Sequence, residues 1–145
     1  MTIQASKPAS LTTEALEIVR SFANLTQRLN DALAVETTLQ RELARKRKAI
    51  EQAESEIITE AVMQAQAKQG PFAGVAQTSP AFKDAREAVL TLARRGALKP
   101  QYTALHELEL QVDDAVIARQ QIENHWHATR TAANVYEAIL QSMRK

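Results

Sequence analysis

"KQGPFAGVAQTSPAF", residues 68–82, is where a chain otherwise patterned as helix stops being one. Gly70, Pro71 and Gly74 fall there together, and Pro80 closes the stretch. All three glycines and three of the four prolines lie either here or in "RGALKP", residues 95–100. Glycine admits positive φ and proline lacks a helical donor, so breakers confined to two windows divide the chain into three helices. The expected spans are 13–69, 80–95 and 101–143, with a tip loop over 70–79. Ser79 is the expected N-cap of the middle helix with Pro80 at N1, and Gly96 its C′ residue. Residues 1–10 read as a disordered tail, and 11–145 as a single domain, since composition gives no reason to divide it.

The long first helix carries a heptad. With Ala15 as a, the a positions are Ala15, Phe22, Leu29, Glu36, Leu43, Ile50, Ile57 and Gln64. The d positions are Ile18, Leu25, Ala32, Leu39, Lys46, Ala53, Glu60 and Ala67. The pattern resumes after Pro100, with Leu105, Val112, Arg119, Trp126, Ala133 and Leu140 at a. Leu108, Ala115, Ile122, Thr129, Tyr136 and Met143 follow at d. Phe82, Ala85, Val89 and Leu92 give the middle helix the same spacing. A helix this long cannot stand alone in water. The fold class expected is therefore an all-α antiparallel helical hairpin, coiled-coil-like, with the returning arm broken at 96–100.

Charge supplies the register. Residues 41–48, "RELARKRK", are strongly basic, and their computed opposites, 107–114, "ELELQVDD", are strongly acidic. Glu36 falls opposite Arg119 and Lys46 opposite Glu109, while Arg94 and Arg95 meet Glu54, Glu56 and Glu60. Such pairs set alignment more than stability. Apolar residues off the seam (Leu16, Val19, Leu33 and Val35 on the first arm; Leu110, Val116, Ile117, Val135 and Ile139 on the last) exceed what a two-helix hairpin covers. They predict a homodimer in which hairpins pack as a helical bundle.

Composition limits the chemistry. Lys plus Arg is 18 against 17 for Asp plus Glu, so no large net field draws a charged partner. The absence of cysteine excludes disulfides, thiol catalysis and Cys-ligated metals. No signal-peptide run or membrane-length apolar window occurs, and the expectation is a soluble cytoplasmic protein with no membrane partner. "GPFAG" has glycines but no Gly-Lys-Ser/Thr ending, so it is not a phosphate loop. It reads as a connector, with Pro71, Phe72, Val75 and Phe82 as the residues of a partner-binding tip if the loop does more than turn the chain.

The basic run invites a nucleic-acid reading through Arg41, Arg45, Arg47, Lys48, Arg94, Arg95 and Lys99. The register instead zips most of these charges against acids on the other arm. In "ENHWHATR", 123–130, the histidines flank Trp126 and point apart; Glu123 and His127 make two ligands without a third. Trp126 is expected against Leu25, Leu29 and Ala32. No nucleophile, base and orienting group come together, so neither an enzyme nor a cofactor or metal site is expected.

The stretch "FKDAREAVLTL", with Lys83, Arg86 and Leu90, resembles small bacterial and phage-encoded helical-hairpin proteins of uncharacterised role, in which a Gly-containing loop precedes a Lys-Asn…Arg…Leu helix. Asp84 stands here in place of the Asn. The resemblance implies an accessory factor, in some members of phage DNA metabolism. The residues themselves favour a non-catalytic structural or adaptor protein acting through helical surfaces, with a protein partner. A nucleic-acid accessory protein is the alternative.

Overall fold

A computed structural model describes residues 7–144, with side chains described from Thr12 onward. The described residues include three helices: α1 (Lys7–Gln66), α2 (Pro80–Arg95) and α3 (Lys99–Met143). The fold is all-α, and no strand occurs among the described residues. Of the expected tail, residues 1–6 lie outside the described residues and 7–10 are already helical. Pro8 does not stop α1 because it sits in the first turn, where an amide has no helical acceptor to miss.

The described residues form two compact units, those up to 38 with those from 112 onward, and residues 39–111. In the first unit α1 and α3 run antiparallel, since Glu14, Thr26 and Glu36 bond Tyr136, Trp126 and Arg119 in reversed order. The buried residues are Ala15, Leu25, Glu36 and Val112. All four stand at a or d positions. In the second unit α1 again faces α3 antiparallel, through Arg47–Glu109 and Glu54–Tyr102, and α2 joins them. Its core is larger: Leu43, Ile50, Ala61, Phe72, Leu90 and Leu98 are buried.

The heptad describes burial on α1 as far as Ile57 and then fails. Glu60, Gln64 and Ala67 are exposed, whereas Ala61 is buried and Ile58, Val62 and Ala65 are half-buried. The inward face moves by one position over these last turns, where α1 faces the tip and α2, a larger step than the roughly 20° per heptad by which a 3.6-residue helix departs from a 3.5-residue repeat. α2 also departs from its expected positions. Leu92 is 72% exposed and Leu90 2%, because Phe82, Ala85, Val89 and Ala93 continue the inward face.

Helix ends follow local chemistry. α1 stops at Gln66, three residues early, in a Schellman arrangement: Gln69 N–H donates to the Gln64 carbonyl and Lys68 N–H to that of Ala65. Lys68 takes the left-handed position at φ 59°, and Gly70 follows at φ 82°. Ser79 caps α2 as expected, its Oγ accepting from Phe82 N–H at 3.3 Å with Pro80 at N1. Gly96 is not left-handed, with φ −117°. Its lack of a side chain serves close approach instead, since a Cβ there would lie 3.2 Å from the Leu92 carbonyl.

Candidate functional site

The first unit holds a buried carboxylate. Glu36 accepts from Arg119 Nε at 2.5 Å, and Arg119 Nη1 donates to Glu123 at 2.6 Å. The bond to Glu36 holds the guanidinium pKa above its ordinary value. A charge in the seam thus has the partner that the register requires. Trp126 meets α1 at Phe22 and Thr26, on either side of Leu25: its ring lies 5.4 Å from Phe22 and its Nε1–H donates to Thr26 Oγ1 at 2.9 Å. A buried indole needs an acceptor, and Thr26, itself bonded to the Phe22 carbonyl, supplies one that Leu25, Leu29 and Ala32 do not. His127 approaches Glu123, at 3.8 Å, and sets its ring edge-on to Trp126 at 5.0 Å, and His125 is exposed. Among the described residues no three His, Asp or Glu side chains are grouped to hold a metal.

In the second unit Glu54 gathers two donors. Arg94 gives it a forked pair, Nε at 2.9 Å and Nη2 at 3.4 Å, and Tyr102 donates its hydroxyl to the same carboxylate. The Arg94 bond holds the Glu54 carboxyl below its ordinary pKa, opposed by burial and assisted by Tyr102. The phenol of Tyr102 is pushed up, first by its bond to Glu54 and then by burial. One residue from each of α1, α2 and α3 therefore meets at this point. Glu54 and Arg94 were legible as a pair from charge, but Tyr102 was not, because it stands outside the a and d positions. Arg94, one of the candidate nucleic-acid contacts, is thus paired within the chain.

The expected charge zipper is mostly absent. Glu109 pairs with Arg47, at 3.5 Å, rather than with Lys46. Lys46 is half-buried on the seam side, whereas the neighbouring Arg47 has the reach and planar fork to meet a carboxylate across it. Arg41, Arg45, Lys48, Arg95 and Lys99 are exposed, and none forms an ion pair among the described residues.

The tip is anchored. Phe72 is 2% exposed, with its ring 4.8 Å from Phe82. It is therefore a core residue and not the contact surface expected of it. Of the other expected tip contacts, Pro71 is exposed while Val75 and Phe82 are half-buried. Beside them a shallow groove of about 450 Å³ is lined by Ile58, Thr59, Val62, Met63, Gln77 and Phe82. These side chains carry no nucleophile–base pair.

Exposed large apolar side chains concentrate in the first unit. Leu16, Val19, Leu33 and Val35 on α1, and Ile117, Val135, Ile139 and Met143 on α3, are exposed; the second unit adds Met63, Leu92 and Leu110. No helix among the described residues is long and apolar enough to cross a membrane. No family model, curated protein or solved structure matches this chain.

Proposed function

We propose that this protein is a non-catalytic structural or adaptor protein of the cytoplasm that acts by self-association, two copies of the first unit packing their outward helical faces into a four-helix bundle. The observation that carries the reading is the imbalance within that unit. Among the described residues it buries Ala15, Leu25 and Val112 as apolar side chains, with seam residues such as Ile18, Phe22 and Leu29 half-buried, while eight large apolar residues are exposed. Two paired helices with so thin a core do not offset the ordering cost of roughly 1–2 kcal/mol per residue. Burying each exposed Leu, Val or Ile contributes about 1.5–3 kcal/mol.

Leu16, Val19, Ala23 and Leu33 also share one stripe of α1, since their spacings of three, seven and seventeen fall within about a quarter-turn to a third of the helix surface. A stripe of that kind suits another helix. Protein partners would bind the assembled bundle or the groove beside Phe82.

Sedimentation velocity over a concentration series tests the reading. The parent chain should sediment as a dimer, and Val19→Glu with Leu33→Glu should sediment as a monomer that keeps its helical circular dichroism. A parent that stays monomeric throughout the series overturns it.

A further inference from the structure

The basic run of α1 looks in sequence like half of an internal zipper, but the folded chain leaves most of it unused. Only Arg47 meets a carboxylate on another helix. Arg41, Arg45 and Lys48 are exposed and have no ion pair or hydrogen bond among the described residues. Their positions, i, i+4 and i+7, put all three on one face of the helix, within an arc of about 60° at 100° per residue. Thr38, Ala44 and Gln52 flank them on that face and are also exposed. The nearest acids in sequence, Glu42 and Glu51, lie three residues from Arg45 and Lys48, about 60° to either side of the stripe, and pair with neither. The row of cations is flanked by these acids but left unpaired by them.

We propose that Arg41, Arg45 and Lys48 form a binding stripe for the phosphate backbone of double-stranded nucleic acid, independent of base sequence. Seven residues of helix rise about 10.5 Å, and phosphates recur about every 3.4 Å of axis along one strand. The stripe therefore spans about three successive phosphates. Arginine at two of the three positions suits forked donation to phosphate oxygens.

The surroundings choose among polyanions. Single-strand binders stack bases on aromatic rings, and no aromatic residue lies on this face. The second unit's aromatics are occupied: Phe72 and Phe82 pack on each other, and Tyr102 is bonded to Glu54. An anionic membrane surface recruits helices that set large apolar side chains beside their cations. Here the flanking residues are threonine, alanine and glutamine.

The test is fluorescence anisotropy of a labelled random-sequence DNA duplex titrated with the full chain. Three released counterions give a slope of about −2.7 in log K against log salt, so affinity should fall about 40-fold between 50 and 200 mM salt. Arg41→Gln with Arg45→Gln and Lys48→Gln should lose binding while keeping the parent's circular dichroism. Each single Gln variant should flatten the slope by about 0.9. Arg47→Gln, outside the stripe, should leave the slope unchanged. Duplex binding that survives the triple substitution overturns the proposal, as does failure to bind at 50 mM salt. Retention on phosphatidylserine vesicles without duplex binding overturns it in favour of a membrane surface.

Discussion

Phe72 is the residue on which the tip depends, and truncating it is the sharpest test of the second unit. The side chain is 2% exposed and stacks on Phe82 at 4.8 Å, so Phe72→Ala removes both buried area and an aromatic pair. Phe→Ala in a core costs about 3–5 kcal/mol, the spread reflecting how far the site collapses. A loop relaxes more easily than a rigid helix pair, which places the expectation near the lower end, about 3 kcal/mol. For 145 residues the unfolding entropy is about 0.3 kcal/mol/K, so each kcal/mol is worth about 3 °C and the melting temperature should fall by about 10 °C. Phe72→Leu keeps most of the apolar volume and should cost less than about 1.5 kcal/mol. Thermal melts followed by circular dichroism at 222 nm measure both variants. A Phe72→Ala melt within about 2 °C of the parent would refute the reasoning, because a side chain that buried cannot be removed at no cost unless the tip is not packed.

Three further outcomes follow from the Glu54 cluster and the end of α1. Glu54 has a folded pKa below its ordinary 4.5, so its stabilisation is present above pH 4.5 and is lost as pH falls through the lowered value. Glu54→Gln should therefore melt below the parent at pH 7, with the gap closing in acid; a gap constant with pH would remove the ionised carboxylate from the account. Tyr102 has a folded pKa above its ordinary 10, so its contribution holds below pH 10 and fades as pH rises through the raised value, a loss that Tyr102→Phe should abolish in alkaline melts. Lys68 occupies the left-handed position after α1, where a non-glycine residue costs about 1 kcal/mol. Lys68→Gly should raise the melting temperature by up to about 3 °C, and a decrease would mean that the lysine side chain contributes there.

Most of the fold was legible because helix breakers and heptads are local signals with strong physical causes. Gly70 and Pro71 mark the start of the tip since they cannot continue α1, Pro80 marks its end as the N1 residue that opens α2, and Glu36 opposite Arg119 fixes the pairing since an unmatched buried charge is too costly to tolerate. What the pattern missed came from extending one heptad seam into the region where α1, α2 and the tip pack together. Gln64 and Leu92 were placed inward for that reason and lie outward, while Ala61 and Leu90 are buried. Tyr102 escaped for another. Its partner Glu54 is 48 positions away on α1, and Tyr102 is an e position, to which the heptad assigns no seam contact.

The basic run shows how a correct register can still mislead about charge. Matching 41–48 with 107–114 compared net charge between segments, and such a sum ignores which way each side chain points. In the heptad anchored on Ala15, Arg41 and Lys48 are f positions and Arg45 is a c position, the outward back of the helix. A helix with its side chains is about 10 Å across, so cations on the back lie more than that from carboxylates facing the seam. At physiological ionic strength screening acts over about 8 Å, and the attraction across the helix is largely extinguished. Only Arg47, at e beside the seam, is close enough to reach an acid, and it alone of the five does so. Position within the heptad thus separates the cation that aligns the two helices from the three that face solvent, and only these three are placed to meet an anion from outside the chain.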